Sequence, residues 1–241
     1  MTKRHTCTYT VLIALALIGA PSASAQECIL RTAEGASFDM TAPVEGGDAQ
    51  APKLLQFLKS FRVSRVISET ADRNLKKSTL KILDFSLSSQ PQVQGNQVVA
   101  LFQLASTPSE PSAIYTGAAE FGVAVVFVFH EMVHAVDTLY AARAAGWQKA
   151  SMALSAEEDQ MSESPAEVEQ LARRKQVFLQ KQNKMIFDAE RKAYDAQRNL
   201  ILEISQYAPC AVDYFATKNG EKKLITEQVT DQQIRDFYKL N

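Results

Sequence analysis

The chain has 241 residues, 46% hydrophobic and 22% charged, with a formal net charge of −1. That size supports one sizeable core, so residues 26–241 are expected to form a single domain. So balanced a charge offers nucleic acid or an anionic membrane no electrostatic foothold, and neither is expected as a partner.

Residues 1–25 have the pattern of a secretory leader. Lys3 and Arg4 supply the positive start, Val11 to Gly19 the short apolar run, and Ala23-Ser24-Ala25 the small-residue cleavage site before Gln26. The run is about half of the roughly 20 residues a bilayer-spanning helix needs, so cleavage rather than anchoring is expected. Cys28 lies beyond that site and lacks the lead-in of a lipoprotein, so a soluble periplasmic or secreted protein is expected. Cys7 leaves with the leader, and the remaining pair, Cys28 and Cys210, is expected to be a disulfide in an oxidising compartment.

Residues 26–50 show no sustained period and are expected to be a loose lead segment holding one short strand. Apolar positions from Leu54 through Ile67 recur at helical spacing, predicting one or two helices over 51–77. Lys81–Leu87 and Asn96–Leu104, separated by turn residues, suggest an antiparallel hairpin, with another short strand near Ala113–Tyr115. From Gly117 the chain is almost wholly apolar through Phe129 and continues to about Ala145, with Gly146 as a stop. Trp147 to Glu163 is polar, suited to a lid or a short surface helix. Ser164-Pro165-Ala166-Glu167 then forms a helix-start pattern, with a serine cap, a first-turn proline and a capping-box glutamate. The helical pattern runs on until Pro209 forbids more, long enough that a kink or break is expected. Thr230-Asp231 opens a last short helix. The expected class is therefore α+β and mainly helical, with a small antiparallel sheet and a long C-terminal helix.

The only histidines after the leader are His130 and His134, in the string His130-Glu131-Met132-Val133-His134. Imidazoles one helical turn apart point the same way, so this HExxH spacing offers two nitrogens to one Zn2+ ion with a carboxylate beside them, the signature of a zinc metallopeptidase. That geometry decides for a helix where the β-branched run Val123–Phe129 alone could pass for a strand. A catalytic zinc needs a third protein ligand, and with no further histidine it must be a carboxylate. Glu190 is the leading candidate: its helical neighbours Ile186, Phe187, Ala193 and Tyr194 place it on the inward side, without a cationic partner. Glu157, Glu158 and Glu163 are alternatives, and a plain surface glutamate is the bland reading of Glu190. Asp137, one turn past His134, is read as support for an imidazole N–H. Tyr194 is a core residue or an oxyanion donor.

Glu190-Arg191-Lys192-Ala193-Tyr194, followed by Gln197, resembles the E-x-x-A-Y element that supplies the glutamate ligand in gluzincin-type metallopeptidases, downstream of their HExxH helix. The resemblance covers about residues 117–205. It implies a zincin-like active-site helix, zinc held by His130, His134 and Glu190, and Glu131 as general base in hydrolysing a peptide or protein substrate. The interval from His134 to Glu190, 56 residues, is longer than in thermolysin-like enzymes, and those enzymes use a further histidine that this chain lacks. Substrate would add to an edge strand, Asn96–Leu104 or Ala113–Tyr115. Two other classes stay open: a zinc amidase or other non-peptidase hydrolase, and a secreted helical interaction protein whose HExxH is not catalytic.

Overall fold

The structure, a computed structural model, describes residues 16–17, 27–44, 47–84, 92–93, 96–98, 100–105, 110–116, 120–160, 164–218 and 229–240. It is α+β and mainly helical. Most of the expected leader lies outside the described residues, as do Glu163 and the turn joining the first two expected strands.

The lead segment holds two strands rather than one, β2 (Ile29–Arg31) and β3 (Ser37–Asp39), paired as a hairpin. Two helices follow, α1 (Gly47–Lys59) and α2 (Arg62–Lys76). Small buried residues on α2, Ser64, Ser68 and Ala71, allow close packing, and both serine hydroxyls donate to backbone carbonyls of Leu58 and Ser64. Among the remaining strands, β1 (Ala16–Leu17), β6 (Asn96–Val98) and β5 (Gln92–Val93) make one small antiparallel sheet.

The second small sheet positions the site. Its order is β4 (Leu80–Asp84), β8 (Ser112–Thr116), β7 (Ala100–Gln103). β8 is parallel to β4 and antiparallel to β7. The expected direct pairing of β4 with the later strand is therefore absent: β8 sits between them. Its Ala113 and Ile114 are both buried, as a strand flanked on both sides requires. β8 is thus no edge strand, and β7 is.

The core is built around α3 (Phe121–Val136), in which every residue from Phe121 to His134 is buried. A helix apolar on all faces belongs in the middle of a core. Phe38, Phe57, Phe61 and Phe121 form an aromatic cluster at its N-terminal end. Gly122 admits no side chain, because a Cβ there would stand 2.6 Å from the Tyr214 ring and 2.8 Å from the Met40 methyl.

The helical run breaks at Asp137 rather than at Gly146. The Asp137 carboxylate accepts the backbone N–H groups of Leu139 and Tyr140 at 3.1 and 3.0 Å, starting a new helix, α4 (Thr138–Gln160), bent 71° from α3. Gly146 lies inside α4 with open space around it. The stretch expected to be a lid or short surface helix is the second half of α4.

α5 (Pro165–Tyr207) is one unbroken helix of 43 residues. Pro165 occupies its first turn, but the Ser164 hydroxyl makes no capping bond, so the expected box is not formed there. α6 (Cys210–Lys218) follows Pro209, and α7 (Asp231–Tyr238) opens with a complete box between Thr230 and Gln233. Cys28 and Cys210 form a disulfide with a Cα–Cα distance of 5.7 Å, tying the first strand of the domain to α6. Such a bond is compatible with an oxidising, extracytoplasmic compartment. Among the described residues no single helix is long and apolar enough to cross a membrane.

Candidate metal centre

α3 and α5 pack side by side, and Ala193, fully buried with only a methyl side chain, lets them approach closely. From α3 the imidazoles of His130 and His134 face α5, and from α5 Glu190 and Gln197, two turns apart, face back. All four side chains are buried, Glu190 and His130 completely.

The geometry is that of a vacancy between ligands. His130 Nε2 stands 3.2 Å from Glu190 Oε2 and 3.4 Å from His134 Nε2, while His134 Nε2 stands 3.4 Å from Glu190 Oε1. The Nδ1 of His130 donates to Gln197 Oε1 at 2.9 Å, which leaves its Nε2 as a lone-pair acceptor aimed at a carboxylate and a second imidazole. Acceptors converge there without a donor among them unless a proton or a cation joins them. Glu190 Oε1 is buried without any hydrogen-bond partner, a costly arrangement unless something positive takes it. Nitrogen and oxygen ligands about 2.0–2.1 Å from a tetrahedral zinc stand about 3.3 Å apart, which is the spacing found. These three buried residues could hold a metal ion.

Electrostatics agree with a site that wants positive charge. Burial pushes the Glu190 carboxyl up, but His134 and His130 beside it outweigh burial and bring it down to about 2. Glu131 is one residue, hence about 100°, around α3 from His130, so its carboxylate faces the sheet instead of α5. There it accepts the backbone N–H of Phe102 at 3.0 Å, on the side of β7 turned away from β8. Burial raises its carboxyl to about 8.

Three tyrosines line the cluster. The Tyr194 ring meets His130 edge to face at 4.7 Å, and Tyr140 lies 5.4 Å from the His134 ring. Tyr238, on α7, reaches the Glu190 carboxylate and stands 3.4 Å, hydroxyl to hydroxyl, from Tyr194.

The structure thus brings His130, His134 and Glu190 together, with Glu131 and Tyr194 alongside. Asp137 is elsewhere: its carboxylate caps α4 and pairs with Lys192 at 2.7 Å, and Gln197 provides the imidazole contact that Asp137 was expected to make. Glu157 and Glu158 are exposed and paired with Arg174 and Lys175, away from the cluster. Gln197 was within reach of sequence reasoning, since it lies seven residues after Glu190 on the same helix face. Tyr140 and Tyr238 carried no signal, because aromatic residues at helical spacing are ordinarily core.

Comparison with protein-family models, with curated proteins and with solved structures finds no match to this chain.

Proposed function

We propose that this chain is an exported zinc-dependent metallopeptidase of the gluzincin type, with His130, His134 and Glu190 as ligands and Glu131 as general base. The observation that carries the reading is the triangle of two imidazole nitrogens and a partnerless carboxylate, sized for one tetrahedral ion, beside a second carboxylate on the same helix.

A bound zinc supplies Lewis acidity and lowers the pKa of water at the site towards 7. Glu131 takes a proton from the attacking water and returns it to the leaving amine. The N–H of Phe102 keeps that carboxylate at the edge of β7, so a peptide laid along this edge passes beside the base. Gln197 fixes the His130 tautomer, which keeps Nε2 free to ligate. Tyr194 contributes packing against His130. With the leader removed and the Cys28–Cys210 bond formed, the enzyme acts outside the cytoplasm on peptide or protein substrates.

A second reading, a helical protein that retains metal without catalysis, is favoured by one observation: His130, Glu131, His134 and Glu190 are all at most 2% exposed. Glu131→Gln separates the two. In a peptidase the variant keeps one zinc per chain while peptide hydrolysis falls on the order of 100- to 10,000-fold. Absence of hydrolysis from the zinc-loaded wild type, over a broad peptide library, would favour the second.

A further inference from the structure

An eight-residue helix at a chain terminus ordinarily frays, because nucleation is costly and few bonds follow it. α7 is fastened at both ends. Its start carries a reciprocal box, Thr230 with Gln233, and its end closes through Lys239 at φ +53, with the Leu240 N–H donating to the Arg235 carbonyl at 2.8 Å.

The docking is concentrated on one stretch of α5. Arg191 donates to the Val229 carbonyl and to Asp231, Arg235 lies 4.6 Å over the Phe187 ring, and Ile234 and Leu240 are buried. Phe187 and Arg191 flank Glu190. Clamped this way, α7 delivers one polar group inward, the Tyr238 hydroxyl, against the Glu190 carboxylate and 3.4 Å from the Tyr194 hydroxyl. A carboxylate with one oxygen on a metal still needs a donor to fix its orientation, and such outer contacts govern how well the ligand binds.

We propose that Tyr238 is a positioning residue for the metal, its hydroxyl holding the Glu190 carboxylate in the ligating orientation, so that the C-terminal helix is part of the metal site. The proposal rests on the reading of His130, His134 and Glu190 as ligands. It also implies reciprocity: if α7 steadies the ligand, the bound ion steadies α7 by the same free energy.

The test compares wild type and Tyr238→Phe in the disulfide-bonded protein by zinc competition against a chromogenic chelator, with circular dichroism as the check of fold. The substitution removes one oxygen and keeps the ring. It is expected to weaken zinc about 10- to 100-fold and to alter the visible spectrum of the cobalt-loaded protein, which lost packing alone does not move. Equal affinity and an unchanged cobalt spectrum overturn the proposal. Should the variant fail to fold, hydrogen exchange on the wild type decides. Zinc must then slow exchange over 232–240 beyond any change in the β2–β3 hairpin, and equal protection in both overturns the inference. A wild type that binds no zinc defeats the ligand reading itself, whereas wild-type binding with an unaltered Tyr238→Phe defeats the role of Tyr238 alone.

Discussion

The two halves of α5 have the same backbone and opposite chemistry. From Pro165 to Lys184 the helix is mostly solvated: Val177 and Leu179 are exposed, and charges are matched, Glu169 with Arg173, Arg174 with Glu157 and Lys175 with Glu158. From Met185 to Ile204 it is the wall of the core, with Glu190, Ala193, Gln197, Leu200, Ile201 and Ile204 buried. A glutamate in the first half has a cation and water; Glu190 has neither, only two imidazoles. What marks a carboxylate as a ligand is therefore its missing cation at a buried position, because solvated pairs on a helix surface contribute little either way.

The same substitution made in each half tests this contrast most severely. Glu190→Gln is expected to abolish stoichiometric zinc binding, while Glu169→Gln leaves the affinity unchanged, both read by metal analysis after dialysis. Equal retention of zinc by the two variants would erase the distinction. A comparable contrast is expected in packing. Ile204→Ala should cost about 2–5 kcal/mol in denaturant unfolding, whereas Leu179→Ala should stay within about 0.5 kcal/mol. Similar losses at both would mean that the first half of α5 is covered in solution.

Much of this was readable locally, and what was not depends on distant partners. The HExxH spacing and the inward neighbours of Glu190 are matters of one helix each, so both were legible. The absence of a kink in α5 was not, since it depends on α4 packing along the exposed half, where Trp147 meets Phe178. The break at Asp137 was missed because an aspartate one turn past a histidine pattern looks like ligand support, while its side chain is the cap of the next helix. The central place of β8 could not be read because pairing across a crossover leaves no local mark. Tyr238, 48 residues beyond Glu190, owes its place wholly to the docking of α7.

Smaller effects refine the boundary between the halves. Asp137→Ala removes the cap of α4 and the partner of Lys192, and should lower stability by about 1 kcal/mol with zinc affinity retained. A loss of zinc there instead, with the fold intact, would restore Asp137 to the site. Least of all, Arg174→Ala, which deletes an exposed pair with Glu157, should change unfolding by less than about 1 kcal/mol and shrink further in high salt.

Calorimetric titration of the native, disulfide-bonded protein with zinc is the most direct test of the centre. One ion per chain, bound well below micromolar concentration and lost in His134→Ala, is the expected result. A protein that takes up no zinc at micromolar supply would contradict the metal centre and the hydrolytic function built on it.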